Sequence, residues 1–254
     1  FSHDKLILNR MQIRMELYRN SHAYVLQSME ANASYRAKIH NMAWVVRKVM
    51  ILPSMSLAIE NKLMHQPARY PFRPTVLKTI HVDGGRQQMH EILLASGQVP
   101  RRVVLAAVST NAYHGDYTLS PFNFQHHNIS RVQLHVCSIP VPRNPLEMDF
   151  ANSHYSRAYL SMLDGLNFHG LGEENSVGNG ISYNAYGNGY MFLVFDTTGD
   201  QSDGWHLVKT GNTTVNIHFD QATPAQGVKL IVYLEYENCM FINKNRDVYF
   251  DYSQ

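Results

Sequence analysis

The chain has 254 residues, of which 44% are hydrophobic and 17% charged, with a formal net charge of +2. That composition excludes a disordered polypeptide, and the near-balanced charge gives no electrostatic reason for strong nucleic-acid binding. The length suits one large β domain or two smaller ones, and no run approaches the roughly 20 apolar residues that span a bilayer.

The chain opens at Phe1, with no signal-peptide pattern and no initiator Met, and the missing Met is what a fragment or a processed product is expected to show. Met11, Ile13, Met15 and Leu17 alternate with Gln12, Arg14 and Glu16, which predicts a strand. Residues 24–27 predict a short strand after the Asn20-Ser21-His22 turn. Residues 37–52 predict a long strand with Trp44, Val46, Met50 and Leu52 in one register and Ile39, Ala43, Val45, Val49 and Ile51 in the other. Apolar character in both registers means a strand covered on both sides. Pro53 stops it, and Ser54 or Ser56 can cap a short helix through Met64.

Pro67, Pro71 and Pro74 then punctuate a linker over 65–74, which places a unit boundary there. Val76, Lys78, Ile80 and Val82 start a new strand, ended by Asp83-Gly84-Gly85, and 103–109 and 132–136 are further strands. Tyr155, Tyr159, Met162 and Leu163 fall at helical spacing over 151–164, with Gly165 as terminator. Seven glycines over 165–189 predict a long surface loop. Residues 190–196 are apolar on both faces, and Val215, Ile217 and Phe219 alternate with Thr214, Asn216 and His218. Val228, Leu230, Val232, Leu234 and Tyr236 alternate with Lys229, Ile231, Tyr233, Glu235 and Glu237. Val248, Phe250 and Tyr252 alternate with Asp247, Tyr249 and Asp251. Alternation at this density, with turn residues between the runs, predicts an all-β sandwich or barrel. Cys137 and Cys239 lie in strand-like runs and are expected as buried free thiols, which favours a reducing compartment.

Chemistry-bearing patterns are sparse. His90-Glu91 is not followed by a second His at helical zinc-protease spacing, because position 94 is Leu, and His126-His127 with His135 does not match a cupin metal pattern. Asp196, Asp200 and Asp203 with Gly199 and Gly204 can ligate Ca²⁺ through loop oxygens, but read more simply as a polar turn. Asp164, Glu173 and Glu174 border the glycine-rich loop, a poorly preorganised place for paired acid–base chemistry. Gly178-Asn-Gly180 lacks the strand-to-helix switch of a dinucleotide site, and Arg101-Arg102 and Arg47-Lys48 are not interleaved with aromatics as a nucleic-acid platform requires. The residues thus predict no catalytic centre, no metal and no cofactor. Three glycosylation sequons, at Asn32, Asn128 and Asn212, carry little weight without a signal sequence.

An ordered set of residues then points to a family. It runs Gly97-Gln-Val-Pro-Arg-Arg-Val103, Asn111-Ala-Tyr-His-Gly115, Pro121-Phe-Asn-Phe-Gln125, Ile139-Pro140, Asp149-Phe150 and Tyr155…Tyr159. It continues with Gly189-Tyr190, Phe195-Asp196, Val232-Tyr-Leu-Glu-Tyr236 and Ile242-Asn-Lys-Asn-Arg-Asp-Val248. In order and spacing the set resembles the major capsid protein of Polinton (Maverick) elements and adintoviruses, hexon-like proteins of the double jelly-roll lineage. The resemblance implies two jelly rolls per subunit, with three copies forming a pseudo-hexameric capsomer of an icosahedral shell. On that pattern, 1–70 is the later part of a first, incomplete jelly roll plus a connecting helix and linker, and 71–254 is a whole second one. It further implies self-association, neighbouring capsomers, penton or minor capsid proteins, and a segment or chain that completes the first jelly roll. The compartment it implies is a virion capsid assembled inside the host cell, in nucleus or cytoplasm. Pro100, Arg101, Asn111, Gly115, Pro121, Phe122, Asn123 and Phe124 are then architectural residues, with Phe122 or Phe124 expected as a buried anchor. The competing class is a jelly-roll carbohydrate-binding module with a concave aromatic face.

Overall fold

The computed structural model describes residues 5–30, 32–166, 179–198 and 204–251. Asp200, Asp203, Glu173 and Glu174, with residues 167–178 of the glycine-rich segment, lie outside the described residues. The elements in chain order are α1 (His22–Val25), α2 (Pro53–His65), β1 (Ala68–Phe72), β2 (Thr75–Val82), β3 (Gln88–Leu94), β4 (Arg102–Ser109) and α3 (Thr110–His114). They continue with β5 (Ile129–Val136), β6 (Ile139–Glu147), α4 (Ser156–Gly165), α5 (Tyr183–Gly187) and β7 (Leu193–Asp196). The last four are β8 (Thr213–Phe219), β9 (Val228–Glu235), β10 (Asn238–Ile242) and β11 (Val248–Phe250).

Strands β2 to β9 form two four-stranded sheets, ordered β2-β9-β4-β7 and β3-β8-β5-β6. Every pairing within them is antiparallel. Counted from the first strand, one sheet takes positions one, eight, three and six, and the other takes two, seven, four and five. Consecutive strands therefore mostly change sheets, and the first and last lie side by side. This is the wiring of an eight-stranded jelly roll. A third sheet, β1-β10-β11, joins the segment before the sandwich to the segment after it.

The alternation seen in the sequence supplies the core. Val215, Ile217 and Phe219 of β8 are buried, as are Val228, Leu230, Val232 and Leu234 of β9. Val103, Leu105 and Ala107 of β4 join them with Val132 and Leu134 of β5. Strand β7 is buried on both faces because α4 packs over it, and Gly165 provides the close approach: a Cβ there would sit 2.5 Å from a Val194 methyl. Tyr155, Tyr159, Tyr183 and Tyr186 stack between α4 and α5, with Tyr155 and Tyr183 centroids 4.4 Å apart.

Several expectations need correction. Residues 11–17 and 37–52 form no strand, and 24–27 is overlapped by α1 rather than being extended. A strand exists only with a hydrogen-bonded neighbour, and none reaches these segments among the described residues. Helix α2 forms as expected, but Pro53 occupies its first position and Leu52 its cap, so neither Ser54 nor Ser56 caps it. Within the proline-rich linker, 68–72 is strand β1, with Tyr70 opposite Met240. Strands β3, β6 and β10 were not read from the sequence, and β6 hides behind Pro140, Pro142 and Pro145, which a sheet edge tolerates. Both cysteines are free, but Cys137 is exposed and Cys239 half-buried rather than both buried.

Truncating Leu234, which is fully buried between Val76 and Val103 in the sheet, should cost about 2–5 kcal/mol. Thermal unfolding of Leu234→Ala should therefore shift down by about 2–4 °C per kcal/mol lost, whereas Leu77→Ala on the exposed face of β2 should barely move it.

Candidate interaction site

At the end of β4 the chain turns through a short helix into a long loop, and most of the residues expected to be architectural gather there. Ser109 Oγ accepts the Ala112 N–H at 3.3 Å and caps α3. Gly115 follows with φ of +98°, a conformation that favours glycine. Its missing side chain has a second consequence. A Cβ at Gly115 would lie 2.8 Å from Ser21 Oγ and 3.0 Å from the Tyr24 nitrogen. Helix α1 of the amino-terminal segment is thus seated directly on this turn.

Further contacts extend that docking. The Ser28 N–H donates to Tyr117 O at 2.8 Å, and Tyr117 Oη donates to Tyr35 O at 2.8 Å. The Tyr24 ring meets Phe122 edge-on at 6.1 Å. Asp116 fixes the turn by accepting from Thr118 N and Oγ1 at 2.8 and 2.7 Å, bonds that lower its carboxyl pKa.

The Pro-Phe-Asn-Phe run divides its work. Pro121 is buried. Phe124 is half-buried against Phe192, ring centroids 4.9 Å apart, and its backbone bridges to the Gly189 loop through bonds of 2.8 and 3.0 Å. Asn123 lies over Gly189, where a Cβ would meet its Oδ1 at 2.5 Å. Phe122 is 64% exposed and touches only the amino-terminal segment through Tyr24 among the described aromatic pairs. Asn111 and Asn123 line a cleft of about 280 Å³ with Ser120, Gln125, His127 and Gln226. Burial pushes the His127 imidazole down to about 4, with neighbouring His126 adding to the effect.

Pro100 and Arg101 are not part of this group; they lie at the opposite end of β4. Arg101 is buried, with Nη1 3.0 Å from Glu235 Oε1 and Nε 3.4 Å from Glu237 Oε1. Arg102 reaches Glu235 Oε2 at 3.5 Å, and Glu237 Oε2 accepts the His206 N–H at 2.8 Å. The network ties the 204–210 loop to the sandwich. Glu235 and Glu237, read from alternation as a polar outer face, are both buried here. The readable signal was two acids near the end of one strand and two arginines at the start of another, with no partners on their own strands. Tyr24, Tyr35 and Tyr117 were also missed, because nothing in their spacing ties 20–35 to 110–122. Asp196 Oδ1 accepts the Thr198 N–H at 2.8 Å, while the rest of the expected polar turn, with Asp200 and Asp203, lies outside the described residues. Among the described residues no group of three or more His, Cys, Asp and Glu is placed to hold a metal, and no helix is long and apolar enough to cross a membrane.

No protein-family model matches the chain. It is 23% identical over 248 residues to a Caenorhabditis elegans protein, "Uncharacterized protein F54H12.2", covering 96% of this chain and 58% of that one. Three solved structures resemble it at low identity. The mavirus major capsid protein has a TM-score of 0.38 with 14% identity, over 73% of this chain and 41% of its own. A chain of the Sputnik virophage has 0.42 with 10%, over 73% and 39%. A chain of the PBCV-1 virus capsid has 0.39 with 10%, over 78% and 55%. The chain thus spans little more than half the length of these relatives at most, and it is the strand order that establishes the jelly roll.

Two outcomes test the site. Gly115→Ala should unseat α1, seen as faster amide exchange over 21–28 with the sandwich core unchanged. His127 has a folded pKa below its unfolded value near 6.5, so protons bind the unfolded state first as pH falls. Stability should therefore drop as pH falls from about 6.5 towards about 4, and His127→Asn should flatten that part of the melting-temperature profile.

Proposed function

We propose that this chain is a structural capsid subunit, hexon-like and of the Polinton and adintovirus kind, which associates in threes into pseudo-hexameric capsomers. The observation that carries the reading is where apolar surface is left open. Of 33 large hydrophobic side chains exposed among the described residues, 21 lie between Leu6 and Met64, while 75–235 buries its own core. Single exposed apolar residues are ordinary, but a concentration of this kind marks a surface made to be covered by protein. The jelly-roll wiring and the ordered residue set around 97–125 and at the carboxy-terminal end support the same reading.

The chain then divides by role. Residues 71–254 are the self-sufficient sandwich. Residues 1–70 are the later part of a neighbouring unit, completed by a further segment or chain and clamped to the sandwich through α1 on Gly115. Neighbouring capsomers and penton or minor capsid proteins are the remaining partners, and assembly takes place inside the host cell. Pro100, Arg101, Asn111, Gly115, Pro121, Phe122, Asn123 and Phe124 serve architecture, with no catalytic role.

Native mass measurement at neutral pH should give trimers or multiples of three. A stable monomer across micromolar concentrations contradicts the proposal.

A further inference from the structure

The cleft beside α3 belongs wholly to the sandwich, and no residue of 1–70 lines it. Its walls come from three places: the junction of β4 and α3, the loop over 119–127, and the β8–β9 turn at 224–227. That turn is anchored. Thr223 Oγ1 donates to Asp83 O at 2.6 Å and accepts the Arg86 N–H at 3.0 Å, which ties it to the β2–β3 turn.

The lining contains no Lys, Arg, Asp or Glu. Burial keeps the His127 imidazole neutral at pH 7. An ion entering the cleft would lose its water and meet no counter-charge. Yet the lining is rich in hydrogen-bonding groups that the fold leaves unused. Asn111, Asn123, Gln125 and Gln226 make no side-chain hydrogen bond within the chain among the described residues. Thr110 Oγ1 and His127 Nε2 go further, being buried with no hydrogen-bond partner among the described residues. Buried polar atoms of this kind are costly, and native proteins keep few of them.

An amide and a hydroxyl each offer a donor and an acceptor, and a neutral imidazole offers one of each. A matching occupant is therefore uncharged, and both donates and accepts. It is also small, since the cleft measures about 280 Å³, near the lower bound of small-molecule pockets. Two chemistries meet those terms, main-chain amide and a sugar ring. Main chain is gripped by a row of backbone groups along a strand edge. Here the free groups are side chains from three separate loops, with Ala112, Leu119 and Pro224 giving apolar contact among them. A pyranose has that mixture, with hydroxyls around its rim and C–H groups on its faces. The cleft holds no Phe, Tyr or Trp, so it is not the concave aromatic face of a carbohydrate-binding module.

We propose that this cleft binds a neutral sugar ring, the end residue of an uncharged glycan, with Asn111 and Gln226 holding it from two walls and Thr110 bonded to one of its hydroxyls. The site goes beyond the capsid reading and does not require it.

Saturation-transfer difference NMR on the 254-residue chain tests the site. The probes are the methyl glycosides of glucose, galactose, mannose, fucose and N-acetylglucosamine. Glucuronic acid and N-acetylneuraminic acid are the charged comparisons, and N-acetylglycine N-methylamide stands for main chain. At least one neutral glycoside should bind, with Kd on the order of 1 mM. Asn111→Ala with Gln226→Ala should weaken it about tenfold or more at unchanged melting temperature, because both residues are exposed. Thr110→Val should also weaken binding without lowering the melting temperature, since it removes an oxygen that no described protein group answers. Gln88→Ala, exposed on the other sheet, should leave binding unchanged. The proposal is overturned if no neutral glycoside receives saturation, if the charged sugars bind equally well, or if the double variant binds like the parent. Binding of the blocked glycine alone assigns the cleft to main chain and overturns the sugar as well. Native mass decides the capsid reading separately, so either reading can fail alone.

Discussion

Strand β9 hydrogen-bonds along its whole length to β2 on one side and to β4 on the other, so the last strand of the sandwich enters between its first and third. Thr75 and Arg102 both stand opposite Glu235, and Val82 and Ser109 both stand opposite Val228. No local hairpin can make that arrangement. It requires the chain to be folded back on itself over most of its length before the sheet is complete, which is the high-contact-order route that makes β sandwiches slow to fold. Once β9 is in place, both ends of the molecule are set. Residues leading into β2 and leaving β9 lie together and pair as β1 and β10. At the other end, the start of β9 and the end of β4 hold α3 and the loop that receives α1.

The buried charges follow from the same insertion. Glu235 ends β9 beside Arg101 and Arg102 because β4 is its neighbour, and Glu237 continues the chain towards His206. Buried ion pairs of this sort repay their desolvation poorly, yet removing one member leaves an unpaired charge in a dry site. Their value here is geometric. Arg101 holds the 204–210 loop and the carboxy-terminal end of β9 to one point at the foot of β4.

Much of this was readable from the residues. Period-two alternation identified β8 and β9 because one face of each is core and the other is not, and Val215, Ile217, Leu230 and Val232 say so directly. Alternation failed where its physical basis failed. In 11–17 and 37–52 the pattern is present, but the neighbouring strand that turns a pattern into a sheet is absent among the described residues. In β6, prolines masked an edge strand, and at Glu235 and Glu237 a long-range partner overrode the polar-out rule. The motif around 111–124 was visible, but its principal contact was not, since only folding brings Tyr24 and Ser21 to Phe122 and Gly115.

Two kinds of surface thus meet in one chain: a sandwich that satisfies itself and an amino-terminal stretch that, among the described residues, does not. Their different needs should be visible in amide exchange measured at two concentrations, one dilute and one at which the protein has assembled. Slow exchange in β9 is expected under both conditions, and protection of 38–51 only in the assembled sample. Protection of 38–51 that is equal in the dilute monomer, or absent from the assembled form, would contradict that expectation.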